Sequence, residues 1–176
     1  MDRFEIRNQM KLKRQNLTSS EVLTLSNKVF SNVLSLDFSK LKRVFIYKRF
    51  KNEVDTNQLI SHFLAENKIV SYPVIIGEEM VAGAAKNNGE LKSKFGTTEP
   101  TDYEILNEID VCFVPLLACD KNKNRLGFGK GFYDKFLATH PCLKIGLCYD
   151  FQVVDNINPN AWDIPLDLIV TESQIF

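Results

Sequence analysis

The spacing of apolar positions changes character along the chain, and each change predicts an element. Over the first seventeen residues Ile6, Met10 and Leu17 share one side of a helix, while Arg3, Arg7, Lys11 and Arg14 follow one another at spacings of four, four and three. That basic stripe is either a solvated face or a row of cations aimed at phosphates. Thr18 and Glu21 stand at the spacing of a capping box and open a second helix with Val22, Leu25, Val29 and Val33 on its apolar side. Arg43 to Tyr47 reads as a buried strand. Asp55 or Thr56 then caps a third helix whose core residues are Leu59, Ile60, Phe63 and Leu64.

From Lys68 to Lys94 the pattern shortens to β segments, Ile69 to Tyr72, Glu79 to Ala85 and Glu90 to Lys94, separated by Gly77 and an Asn87-Asn88-Gly89 turn. A looser loop, Phe95 to Pro100, follows. Asp110 to Leu116, Leu143 to Cys148 and Asp167 to Val170 are further strands; a glycine-rich loop and a helix from about Gly131 to Ala138 lie between the first two. Strands alternating with helices predict an α/β fold, a three-layer α/β/α arrangement with a mainly parallel sheet and a β meander inserted midway. No repeat or Pro/Ser-rich linker divides the chain, so residues 1–176 read as a single domain.

Charge narrows the partners. Lys plus Arg and Asp plus Glu both total 22, and a zero balance argues against nucleic acid or a membrane surface as ligand while leaving room for a small anion. The N-terminus is charged from Asp2 to Arg7, unlike a signal peptide, and no apolar run approaches the ~18 residues of a membrane span. Cys112, Cys119, Cys142 and Cys148 match no zinc spacing, and three of them sit in apolar runs; they read as thiols in a reducing cytoplasm. His62 and His140 have no neighbours that suggest a relay.

The chemistry concentrates in Asn124-Arg125-Leu126-Gly127-Phe128-Gly129-Lys130-Gly131-Phe132-Tyr133-Asp134-Lys135. This segment leaves a strand and enters a helix, which places it at the C-terminal edge of the sheet, where ligands of α/β proteins bind. Its glycines let backbone N–H groups approach an anion, the helix adds its positive end, Arg125 and Lys130 bring cations, and Asp134 offers a hard oxygen suited to Mg²⁺. The spacing is not that of a P-loop, a Rossmann fingerprint or an RNP1 octamer. The residues alone therefore reach a phosphate-binding α/β enzyme, with a flexible hairpin tip as the bland reading of the glycines. They also leave Asp134 open between a metal ligand and a carboxylate complementing the helix dipole. Glu53 reads equally as a solvated loop acid, Asp163 as a turn residue, and Phe132 and Tyr133 as core.

Val114-Pro115-Leu116-Leu117-Ala118-Cys119-Asp120 followed by Arg125 to Asp134 resembles the signature of the 5-formyltetrahydrofolate cyclo-ligase family. Arg3 and Arg7, Asn52-Glu53-Val54-Asp55-Thr56, Gly96-Thr97-Thr98-Glu99-Pro100 and Trp162-Asp163-Ile164-Pro165-Leu166-Asp167 through Thr171-Glu172 are similar to further family segments in the same order. Departures are Arg3 for a lysine, Lys135 for an arginine, Phe132 for a tyrosine and Leu117 for a small residue; the cationic swaps keep charge and alter geometry.

The resemblance implies ATP-driven closure of 5-formyltetrahydrofolate to 5,10-methenyltetrahydrofolate, with ADP and phosphate released; the chain is expected to be cytoplasmic and to work as a monomer. Through it, Arg3, Arg7, Arg125, Leu126, Gly127, Phe128, Gly129, Lys130, Gly131, Phe132 and Tyr133 are expected at ATP. Lys48, Glu53, Phe128, Gly129, Lys130, Gly131 and Phe132 are expected at the folate, and Asp134 and Asp163 at Mg²⁺. Lys130 and Arg125 are expected to stabilise the transferred phosphoryl group. The alternatives are another phospho-ligand enzyme on a related scaffold, sugar-phosphate isomerase-like or CoA-transferase-like, and a non-catalytic nucleotide- or RNA-binding module.

Overall fold

The computed structural model describes residues 1–86, 90–92 and 98–176. The expected turn at 87–89, and positions 93–97 of the expected strand and loop, lie outside the described residues. In chain order the elements are α1 (Arg3–Gln15), α2 (Ser19–Leu34), β1 (Arg43–Ile46), α3 (Asn57–Ala65), β2 (Ile69–Ile76), β3 (Glu79–Ala85), β4 (Glu90–Lys92), β5 (Thr98–Pro100), β6 (Tyr103–Leu106), β7 (Val111–Pro115), β8 (Ala118–Asp120), β9 (Arg125–Leu126), α4 (Phe132–Thr139), β10 (Leu143–Leu147), β11 (Val153–Val154) and β12 (Leu168–Val170).

Helix starts follow their caps. Asp2 accepts the N–H groups of Phe4 and Glu5 and donates its own to Glu5, closing a capping box that starts α1. Thr18 and Glu21 do the same for α2, as their spacing foretold. Leu17 lies beyond the end of α1 and still packs on the core. At α3 Thr56 holds the N-cap position, but its hydroxyl is spent on the Tyr47 carbonyl at 2.6 Å. Leu64, expected in the core of α3, is 51% exposed, because only the Leu59, Ile60 and Phe63 side of this short helix meets the sheet.

Seven strands form the main sheet in the order β12-β10-β7-β1-β2-β3-β6. The five from β12 to β2 run parallel, and β3 and β6 are antiparallel additions that carry the meander. Alternation along each strand sorts side chains between two faces. Val44, Ile46, Val111 and Phe113 meet α2 and α3, whereas Phe45, Cys112 and Val114 meet Phe136 and Leu137 of α4. That is the three-layer arrangement the pattern of elements implied.

Two features position the site. The chain leaves β1 toward β2 and later returns on the other side of β1 as β7, so the strand order reverses between β1 and β7, and the carboxyl ends of these strands open a crevice there. Second, β2 does not stop before Pro73, where the sequence pattern ended it. β1 pairs with it only through Ser71, so beyond that point nothing on this side needs the missing N–H of Pro73. The N–H of Ile75, two residues on and on the same side, donates instead to Glu99 Oε2 at 2.8 Å. The gap left where β1 ends is one wall of the crevice.

A second sheet of three short strands, β11-β8-β9, was not expected. Fully buried Asp120 organises its hairpin by accepting the N–H groups of Asn122 and Asn124 and the side-chain amide of Asn124. α1 packs Ile6 and Met10 against Ala118 and Leu126 of this small sheet.

Candidate active site

The glycine loop starts from β9, not from a strand of the main sheet as expected, and the small sheet carries it to the carboxyl end of β7. Gly129 has φ 98° and Gly131, the N-cap of α4, has φ 72°. A Cβ disfavours this left-handed region by about 1–2 kcal/mol per residue, so these two glycines let the loop fold back onto the start of α4. First-turn amides of α4 point out of the helix at this end and carry the positive end of its dipole.

α1 lies along the loop and anchors it. Arg7 Nε donates to the Gly127 carbonyl at 3.0 Å, and Arg3 pairs with Asp163. Burial, then the charge of Arg3, draw the Arg7 guanidinium's pKa down, with Asp163 acting in the opposite sense. Burial works to raise the Asp163 pKa, but hydrogen bonds from Arg3 and the Asn160 N–H, and the charges of Arg3 and Arg125, outweigh it and hold that carboxyl below its ordinary value. Arg125 is buried, donates from Nη2 to Asp134 Oδ1 at 2.7 Å, and lies 5.7 Å over the Tyr133 ring.

Two atoms here are sealed from solvent without a hydrogen-bond partner among the described residues: Arg125 Nε and the Tyr133 hydroxyl. Buried polar groups are seldom left so. Burial, then the charges of Cys112 and Glu53, push the Tyr133 phenol well up, with Arg125 partly opposing, so it stays a neutral donor.

The facing wall follows β1. Lys48 lies 5.3 Å over the Tyr72 ring, and burial lowers its pKa. Glu53 is only 6% exposed, which removes the solvated-acid reading. Its Oε2 accepts the Phe50 N–H at 2.8 Å, and Arg14 Nη2 stands 3.8 Å from its Oε1. Burial raises the Glu53 pKa, with Arg14 and the Phe50 N–H partly opposing.

A single cleft of about 820 Å³ is lined by Arg3, Arg7, Lys48, Glu53, Arg125, Gly127, Phe128, Gly129, Lys130, Gly131, Phe132, Tyr133, Asp134 and Asp163. Of the residues singled out from the sequence, the structure leaves out Leu126. Its side chain is fully buried between α1 and the small sheet, because alternation along β9 turns Arg125 to the cleft and Leu126 to the core. The cleft also takes in residues the sequence did not assign: Tyr47, Phe50, Pro73, Ile75 and Met80 on the apolar side, and Asn160 and the 71% exposed Trp162 at the rim. Trp162 sat inside a family-like segment; the apolar group carried no signal, since such residues read as strand core.

Asp134 and Asp163 suit a hard cation. Ile164 N–H approaches Asp134 Oδ1 at 3.4 Å, so the segment carrying Asp163 lies against the start of α4, and both aspartates line the cleft. Each uses one oxygen for its arginine, and among the described residues no hydrogen bond reaches Asp134 Oδ2 or Asp163 Oδ1. Carboxylate oxygens beside a phosphate cradle are the donor set that Mg²⁺ prefers.

A crevice at the reversal of an α/β sheet, with a glycine loop, a helix N-terminus and four converging cations, defines an enzyme that handles a phosphorylated ligand. The chain belongs to the 5-formyltetrahydrofolate cyclo-ligase family, whose model matches residues 1–172. It is 34% identical to a 5-formyltetrahydrofolate cyclo-ligase of Mycoplasma genitalium over 97% of this chain and 98% of that protein. With the Haemophilus influenzae enzyme of the same name it shares 32% identity over 96% and 97%. The solved structure of Aquifex aeolicus 5,10-methenyltetrahydrofolate synthetase superposes with a TM-score of 0.89 at 38% identity, over 99% of this chain and 92% of that one.

Proposed function

We propose that this cleft performs the family's reaction by holding ATP on its glycine-loop wall and 5-formyltetrahydrofolate against its Glu53 wall. The reaction is the ATP-dependent conversion of 5-formyltetrahydrofolate to 5,10-methenyltetrahydrofolate, and this chain is an enzyme of that family. The sugar-phosphate, CoA and RNA-module alternatives are set aside on the same match.

The chemical obstacle is the formamide oxygen, a poor leaving group. In the proposed course that oxygen attacks the γ-phosphorus, the bond to the ADP oxygen breaks, and an iminium phosphate forms. Folate N10 then attacks the activated carbon, phosphate departs with the original oxygen, and the N10 proton is lost. Phosphoryl transfer of this kind depends on alignment and on spreading charge over cations and backbone donors. Arg3 and Arg7 take the nucleotide phosphates from the α1 side, and loop amides from Gly127 to Gly131 cradle them. Lys130, exposed at the loop tip, and Arg125, rigidly buried, flank the transferred group. The Tyr133 ring lines the cleft at the junction of the two walls, within electrostatic reach of both Arg125 and Glu53. Phe128 and Phe132 give the pterin aromatic surface, and Lys48 and Glu53 give it polar contacts. Asp134 and Asp163 would hold Mg²⁺, which supplies charge neutralisation to the triphosphate.

The observation that carries this reading is that both walls belong to one cleft built by one chain. The same observation supports a single catalytic domain over residues 1–176 that works as a monomer. A cytoplasmic location is supported by the free cysteines, three of them buried; among the described residues no helix is long and apolar enough to cross a membrane. The test is spectroscopic. With ATP, Mg²⁺ and 5-formyltetrahydrofolate the protein should generate the absorbance of the methenyl product, and omission of ATP should abolish it. ATP-independent product, or none with all components present, contradicts the proposal.

A further inference from the structure

α1 reaches both walls of the cleft, and its last turn carries a buried arginine, Arg14. Arg14 belongs to the basic stripe, yet it is only 5% exposed. Its Nη1 lies 3.4 Å from the Leu116 carbonyl, its Nη2 is 3.8 Å from Glu53 Oε1, and its guanidinium sits 5.5 Å over the Phe128 ring. Asn52, the residue before Glu53, donates its side-chain amide to the carbonyls of Arg14 and Leu17 at 2.8 and 2.9 Å. The turn bearing Glu53 is thus fixed to the end of α1 through both backbone and side chain.

We propose that Arg14 is a positioning residue for the folate half of the site, presenting Glu53 to the ligand as an anion and tying it to the glycine loop through Phe128. The inference rests on the function proposed above. At 3.8 Å the arginine supplies countercharge without a direct hydrogen bond, so Oε1 keeps its accepting capacity for N–H groups of a bound heterocycle. Oε2 is committed to the Phe50 N–H.

The groups facing Glu53 can be named element by element. Arg14 comes from α1 and Tyr133 from α4. Tyr47 and Lys48 follow β1. Tyr149, after β10, donates its hydroxyl to the Glu53 carbonyl at 3.1 Å. Of these, Arg14 is the cation that acts on the Glu53 carboxylate, opposing the effect of burial.

Arg14→Met removes that charge and keeps much of the bulk. In steady-state kinetics at neutral pH the KM for 5-formyltetrahydrofolate should rise up to about tenfold, the loss expected when a hydrogen bond to a charged group is weakened, while the KM for ATP stays near its original value. The deficit should shrink as pH rises toward 9, because higher pH restores the Glu53 anion; Arg14→Lys should recover part of it. In the Glu53→Gln background, where no anion needs support, Arg14→Met should add little further loss. If Arg14→Met alone does not fold, the double variant should, as it lacks the uncompensated buried carboxylate. A pH-independent deficit, additive losses in the double variant, or a double variant that folds no better than Arg14→Met alone would overturn the assignment. Absence of product from the unmutated enzyme overturns the functional reading as well; product from it together with any of those three results overturns Arg14 alone.

Discussion

The two walls of the cleft are built on opposite electrostatic plans. On the glycine-loop side the cations Arg3 and Arg125 are held by carboxylates at short range, and Lys130 stands exposed at the loop tip. These are exchangeable charges, suited to a ligand that arrives with its own charge and takes over existing partners. On the Glu53 side a lone carboxylate is buried among tyrosines with a distant arginine, and burial already strains its ionisation. Such a group is poised for a neutral, hydrogen-bonding heterocycle. Side chains on the first wall should therefore govern turnover, and those on the second should govern folate affinity and its pH dependence.

The largest effect that tests this contrast is Lys130→Ala. Loss of a cation at the transferred group should lower kcat about 10²–10³-fold, while stability changes by less than about 0.5 kcal/mol because the side chain is exposed. Parallel loss of folding and activity would make the lysine structural. Next comes Glu53. Its pKa is raised, so it takes up a proton at higher pH than a free glutamate does. As pH falls, the folate KM should begin to climb above the ordinary carboxylate range, and Glu53→Gln should remove that limb at a cost of about tenfold in affinity. The ATP KM should show no matching limb.

Gly129→Ala should act more mildly. The φ of 98° imposes strain of about 1–2 kcal/mol on a residue with a Cβ, and the nearest side-chain atom, of Arg7 at 3.8 Å, does not clash. The expected result is a several-fold rise in ATP KM with the folate KM unmoved.

The smallest effect on turnover belongs to Asp110→Asn, at the opposite edge of the sheet. Burial alone would raise the Asp110 pKa, but Arg43 and the N–H groups of Lys42 and Arg43 pull it down to about 2. A depressed carboxyl contributes stability above its ordinary pKa near 3.8, lost as pH falls toward 2. The substitution should cost about 1–2 kcal/mol at neutral pH, allowing for solvent screening of a partly exposed pair. Chemical denaturation should show that loss with kcat unchanged.

Much of this architecture was legible because local chemistry and tertiary packing agree. The Thr18–Glu21 box starts α2, the apolar run at Val111 becomes the middle one of the five parallel strands, and the glycine loop ends at the N-cap of α4. Illegible parts are those where packing overrides a local signal. β8, β9 and β11 are too short to show periodicity and exist through Asp120 and α1. Pro73 looks like a strand end but sits on a stretch that β1 no longer pairs. Arg14 and Glu53 are polar in the sequence and surrounded by polar residues, so nothing local announces that both are buried. Most of the cleft's polar lining was named through the family-like segments; its division into two electrostatically distinct walls required the structure.

The central claim is that one cleft brings the formyl oxygen to the γ-phosphorus. A crystal structure with 5-formyltetrahydrofolate, Mg²⁺ and a non-hydrolysable ATP analogue tests it directly. The expected result is a formyl oxygen about 3–3.5 Å from the γ-phosphorus and in line with the bond to be broken, with Lys130 at the γ-phosphoryl oxygens and Glu53 on the pterin. Nucleotide and folate bound in separate places, or a γ-phosphoryl group turned away from the Gly127–Gly131 loop, would contradict it.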